Sequence, residues 1–140
     1  MKRSILFFAT LFMINMASAQ SYFGYCTAQV GGHTYVSEVV DVTTLPNKGI
    51  PTQAPFGKVK LVDYYDQVVK QWFAAMMSNK GLDAKQGVLT TQLIAGIQDH
   101  GNTCTTGYEP ACLCQDKNAA VGQQKKDLRH NHNTTVLSDK

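Results

Sequence analysis

Between Tyr22 and Val42 aromatic and β-branched residues dominate, and Gly31-Gly32 divides them into two runs. Tyr22–Val30 and His33–Val42 predict two antiparallel strands joined by a tight turn, because a Gly-Gly pair supplies the positive φ angles of short hairpins. In the second run Tyr35, Ser37, Val39 and Asp41 share one face, and Thr34, Val36, Glu38, Val40 and Val42 the other. Neither face is cleanly polar, which predicts a strand that is central or covered on both sides. Leu45–Gly57 carries Pro46, Pro51, Pro55, Gly49 and Gly57 and reads as a loop.

The strongest periodicity follows. Leu61, Tyr65, Val68, Val69, Trp72, Phe73, Met76 and Met77 recur at helical spacing, with Asp63, Asp66, Gln67, Lys70, Gln71 and Ser78 mostly opposite. Lys80-Gly81 supplies a basic end and a residue suited to a left-handed cap. This helix should lie across the sheet with its apolar stripe as core, while Trp72, Phe73, Met76 and Met77 are also the candidate binding surface, should the stripe instead line a ligand groove. Val88–His100 is ambiguous: Leu89, Leu93 and Ile97 suit a helix ended by Gly101, whereas Val88, Thr90, Thr91 and Ile94 favour extended structure. The balance leans to a helix. Gly101–Cys114, with Pro110 and three cysteines, reads as a cross-linked loop, and Asp116 can cap a last helix running to about Arg129 with a thin apolar face of Ala120, Val121 and Leu128. Thr134–Leu137 can return as a closing strand. The expected fold is α+β, a small antiparallel sheet with one long amphipathic helix and one or two further helices, stapled by disulfides.

One apolar run lies outside this pattern. Lys2-Arg3 precedes Ile5–Ile14, interrupted only by Thr10, and Ala17-Ser18-Ala19 follows. That is the design of a secretory signal peptide cleaved after Ala19, so residues 1–19 are read as the leader and residues 20–140 as one small domain, periplasmic or secreted. A membrane span needs about 20 apolar residues, and no second apolar stretch of that length occurs, so no span is expected after cleavage. Cleavage removes Lys2 and Arg3 but no acidic residue, and the formal charge falls from +3 to +1. Such balance argues against a nucleic-acid surface. The nearest thing to a basic patch is Lys125, Lys126 and Arg129 with His130 and His132; Asp127 interrupts it, and a solvated helix end is the expectation.

Export changes the reading of Cys26, Cys104, Cys112 and Cys114, because oxidising compartments favour cross-linking over free thiol chemistry. Four cysteines allow three pairings. Cys112–Cys114 would close a strained loop, leaving Cys26 tied to Cys112 or Cys114 and Cys104 to the other; Cys26–Cys114 with Cys104–Cys112 is preferred. A metal site built from Cys104, Cys112 and Cys114 with His100, or with His130 and His132, lacks the usual C-x2-4-C spacing, so no metal is expected. A catalytic Cys114 at the start of the last helix would need His130 or His132 as base, and a rise of about 1.5 Å per residue carries those rings roughly 20 Å away. A Ser-His-Asp set from His33, Ser37 and Asp41 has no nucleophile elbow behind it. No phosphate loop, dinucleotide fingerprint or calcium loop is present. No catalytic residue and no cofactor is assigned.

Tyr22-Phe23-Gly24-Tyr25-Cys26, then Tyr35-Val36-Ser37-Glu38-Val39, an aromatic-rich helix and a cysteine before an Ala/Lys-rich final helix resemble small exported bacterial proteins of unknown function. The resemblance covers about half of residues 20–140. It departs at Leu82–Thr106 and lacks the Trp such proteins tend to have near the end, and it implies a compact α+β domain without an assigned activity. The functional expectation is a small exported protein-binding module of the immunity or inhibitor kind, with another protein of the cell envelope as partner. An exported enzyme using a cysteine or histidine, or an envelope structural protein, are the alternatives.

Overall fold

The structure, a computed structural model, describes residues 20–54, 57–58, 61–83, 88–93 and 113–139. Its first strand, β1 (Phe23–Val30), turns through Gly31 (φ 59) and Gly32 (φ 78) into β2 (His33–Ser37), with Thr27 opposite Val36 and Val30 opposite His33. Two consecutive positive φ angles match the right-handed strand twist, the property for which a Gly-Gly turn is suited. Beyond Ser37 the ladder slips by one residue: β3 (Val40–Asp41) resumes pairing with Phe23 opposite Asp41, so four steps along β1 match five along its partner. This is a β-bulge, and it splits the expected single strand His33–Val42. Asp41 then caps a short 3-10 turn, Val42–Thr44, its carboxylate accepting from the Thr43 amide at 3.1 Å.

The Pro-rich loop holds a two-residue hairpin not expected from sequence, β4 (Gln53–Ala54) against β5 (Gly57–Lys58). The helix α1 (Leu61–Asn79) forms where the periodicity places it. Its end is a Schellman closure: Gly81 has φ 75, its amide donates to the Ser78 carbonyl, and the Leu82 amide donates to the Met77 carbonyl.

Val88–Gln92 is a strand, β6, and not the start of a helix. It pairs antiparallel with β1 on the edge away from β2, with Cys26 opposite Thr91. β-branched Val88, Thr90 and Thr91 prevail over the Leu spacing because β1 offers them an unpaired edge. Residues 94–112, with Ile97, His100, Cys104 and Cys112, lie outside the described residues.

The helix α2 (Lys117–His130) is capped by Asp116, whose side chain accepts from the Asn118 amide at 2.9 Å. It travels the length of β1. The Cys114 carbonyl accepts from the Phe23 amide at the start of that strand, and the Asn133 side chain donates to the Gly32 carbonyl at its far turn. The chain must therefore run back in the direction of β2, and β7 (Thr134–Leu137) pairs with β2 in parallel, Thr34 beside Thr134 and Ser37 beside Leu137. The α+β class holds, but the sheet is mixed and not purely antiparallel.

Alternation divides the sheet's two faces. One carries Cys26 and Ala28, which join Val69, Phe73, Met76, Met77, Leu93, Leu113 and Leu137 in the main core beneath α1. The other carries Tyr25 and Val36, both buried, on the side of Ala120 in α2. Of the candidate binding surface, Phe73, Met76 and Met77 are core, and Trp72 is half-buried against them.

Candidate functional site

The face beneath α2 is only partly covered. Along β1, Thr27 and Gln29 share it with Tyr25; Thr90 and Gln92 stand opposite Thr27 and Tyr25 on β6, and Thr34 stands opposite Gln29 on β2. These hydroxyls and amides floor a groove of about 380 Å³ walled by Asp127, His130 and Asn131 at the carboxyl end of α2. Through Gln29, Thr34, His130 and Asn131 it continues into a second depression of about 540 Å³ that reaches Gly32, His132 and Asn133. Together they make a solvent-open trough crossing three strands.

Its inner wall is fixed by hydrogen bonds. The Tyr25 hydroxyl donates to Asp127, and the Gln123 amide donates to the other Asp127 oxygen at 3.2 Å. Burial, then the bond to Asp127 and its negative charge, push the Tyr25 phenol far above its ordinary range, so it stays a neutral donor. One turn away the Gln124 side chain donates to the Ser37 carbonyl at 2.6 Å and locks α2 onto the bulge. The floor is uncharged, and His130 and His132 are exposed at the rim.

The residues proposed from sequence for chemistry are dispersed. Cys26 and Cys114, the pair preferred from sequence, are both buried free thiols and are not joined to each other, while Cys104 and Cys112, the other candidate partners, lie outside the described residues. Burial pushes the Cys26 thiol up to about 12, Lys70 pulling against this and Asp66 adding to it. Asp66 also accepts from Thr91 and pairs with Lys70 at 2.9 Å, on the face opposite the trough. Cys114 precedes α2 and His130 ends it, so the 14-residue helix separates them by roughly 20 Å. Ser37 is fully buried, its hydroxyl accepting from the Cys26 amide at 2.9 Å and donating to the Glu38 carbonyl at 2.9 Å. His33 bonds Thr135 at 2.7 Å and Asp41 bonds Thr43, so His33, Ser37 and Asp41 form no relay. Among the described residues no group of three His, Cys, Asp or Glu side chains is placed to hold a metal ion, and no helix is long and apolar enough to cross a membrane.

The trough was missed from sequence because hydroxyl and amide residues carry no motif. The available signal was the alternation Thr27-x-Gln29 and Thr90-x-Gln92, two polar rows on strands whose other faces are Cys26 and Ala28, and Leu89 and Thr91. Comparison of the chain with protein-family models, with curated proteins and with solved structures yields no match.

Proposed function

We propose that the chain is exported, loses residues 1–19 and acts in the periplasm or outside the cell as a protein-binding module of the immunity or inhibitor kind, using the trough beside α2 as its contact surface. The observation that carries this reading is the trough itself. It is shallow, open along its length, and floored by neutral donors and acceptors on rigid strands, a surface suited to hydrogen bonding with a partner and short of a nucleophile beside a base. In the same reading the four cysteines close into bridges once the chain reaches an oxidising compartment; Cys26 and Cys114 are not joined in this structure, and the alternative link, Cys26 to Cys112, closes nearly as long a loop and would contribute on the order of 4–5 kcal/mol by loop-closure entropy.

The test is capture from an envelope extract of the source cells with immobilised residues 20–140 at micromolar concentration, beside a Thr27→Arg/Gln29→Arg variant. A stoichiometric partner held by the wild type and lost by the variant is expected. Failure to capture any partner, or equal capture by both, removes the reading. Intact mass with and without reductant and alkylation reports the amino terminus and the number of bridges together, and a full-length chain with four reduced thiols would refute export and stapling at once.

A further inference from the structure

The cations of α2 are arranged differently in space than in sequence. Asp127, which separates Lys126 from Arg129 in the chain, is turned inward to Tyr25 and Gln123 on the trough wall and forms no ion pair with them. At 3.6 residues per turn, successive side chains are about 100° apart. Starting from His130 on the trough rim, Lys126 lies about 40° further round, Arg129 about 60° beyond that and Lys125 about 40° beyond Arg129. Gly122, the residue that falls between Lys126 and Arg129, adds no side chain. Lys125, Lys126, Arg129 and His130 are all exposed, and among the described residues no carboxylate forms an ion pair with any of them. A residues 20–140 chain of formal charge +1 thus carries a continuous basic stripe that begins at the trough and passes to the solvent side of α2.

We propose that this stripe and the trough it borders dock an acidic segment of a partner protein, the trough floor hydrogen-bonding the segment while Lys126, Arg129 and Lys125 meet its carboxylates. This rests on the protein-binding reading above and names the chemistry of the partner. Two observations choose a polypeptide over other anions. A bilayer would need apolar side chains to enter it, and among the described residues Val136 is the single exposed large hydrophobic group. Single-stranded nucleic acid would need aromatic faces for stacking, and the trough is lined by Thr, Gln, Asn, Asp and His. Amides and hydroxyls flanked by unpaired cations complement an acidic peptide, for which charge steers the encounter and neutral hydrogen bonds set the register.

The test uses the processed chain and immobilised polyglutamate, with vesicles rich in anionic lipid and single-stranded DNA as competing probes. Retention on polyglutamate at low salt should fall steeply as the screening length shrinks from about 30 Å at 0.01 M to about 8 Å at 0.15 M. Lys125→Gln/Lys126→Gln/Arg129→Gln removes the stripe without placing negative charge against the helix dipole and should weaken retention by about tenfold or more, whereas Lys48→Gln/Lys80→Gln/Lys117→Gln, with the same change in net charge at exposed sites elsewhere, should retain most of it. No retention, equal loss in both triple variants, or tighter binding to vesicles or DNA than to polyglutamate overturns the proposal. The stripe variant is also run in the envelope capture. A partner held as well as by the wild type sinks the acidic-segment inference and leaves the module reading standing; capture of nothing by the wild type sinks the module.

Discussion

Ser37→Ala is the sharpest test of how this sheet is held together. At the bulge the ladder between β1 and its neighbour is interrupted, and the Cys26 amide would be left without a backbone acceptor. The Ser37 hydroxyl takes that place, accepting from Cys26 at 2.9 Å and passing its own proton to the Glu38 carbonyl at 2.9 Å. Both Cys26 and Ser37 are 0% exposed, so water has no access to replace either bond. Alanine removes one oxygen and strands a buried donor. An unsatisfied buried amide costs about 1–3 kcal/mol, and losing the second bond adds about 0.5–1.5 kcal/mol, giving an expected loss near 2–3 kcal/mol. For a domain of this size that is about 6–15 °C in melting temperature, at roughly 3–5 °C per kcal/mol. Urea unfolding of the variant beside an exposed control, Ser78→Ala, gives the stability difference, with the control expected within about 0.5 kcal/mol of wild type. Hydrogen exchange at the Cys26 amide gives the local answer, which a loss of packing elsewhere would not move. A loss below about 0.5 kcal/mol together with unchanged protection of that amide would show that the hydroxyl does not close the bulge.

Gly24→Ala should be severe for steric reasons alone: the new Cβ would stand 2.6 Å from the Gln92 carbonyl oxygen and 2.6 Å from a Leu93 methyl, and moving a backbone carbonyl of β6 costs about 1–3 kcal/mol or more, read by chemical denaturation. Phe73→Ala, at 0% exposure, should cost about 3–5 kcal/mol, while Trp72→Ala, on the half-buried side of the same helix, should cost clearly less; equal losses would undo the assignment of the two faces. In the reduced protein the Cys26 thiol, held near 12 against an ordinary 9.0, should resist alkylation at pH 8 until the chain is unfolded. Because the native state keeps that proton while the unfolded state releases it, stability should fall as pH rises from about 9 towards 12, and a flat profile there in urea titrations would contradict the burial of the thiol.

The elements whose signal is local were legible in the sequence. Gly31-Gly32 dictates its turn, the α1 stripe its packing face, Gly81 its closure, and Asp116 the start of α2. What the sequence concealed depends on contacts between distant segments. Val88–Gln92 becomes a strand because β1 has a free edge, a fact about tertiary structure that no window around Leu89 contains. The parallel pairing of β7 follows from α2 spanning the sheet from the Phe23–Cys114 contact to the Gly32–Asn133 contact, 19 residues apart in the chain at one end of the helix and the other, which local patterning does not encode. Likewise Asp127 reads as an interruption of a basic run until Tyr25, 102 positions away, claims it. The trough was hidden for a related reason: its residues are ordinary on each strand and become a surface only when three strands align them.

The trough is a consequence of how little α2 can cover. Its inward stripe is Ala120, Val121 and Leu128, of which Ala120 alone is buried, and such a narrow apolar face seats the helix over Tyr25 and Val36 while leaving Thr27, Gln29, Thr34, Thr90 and Gln92 open. A sheet face selected for stability alone would carry β-branched hydrocarbon there. The cross-strand pair Thr27 and Thr90 is where this argument can be tested, since valine has the same shape, at least equal strand propensity and no hydroxyl. Thr27→Val/Thr90→Val should leave stability unchanged or raise it by up to about 1 kcal/mol, because the one bond lost, Thr27 hydroxyl to Thr90 carbonyl at 3.4 Å, is exposed and long. The same variant should lose the envelope partner, since removing hydroxyls from a recognition surface leaves the partner's polar groups desolvated and unpaired. Gain of stability with loss of capture is the signature of residues kept for binding. A variant that binds as before, or one that unfolds more easily, would instead make the threonines part of the scaffold and remove the trough as the contact surface.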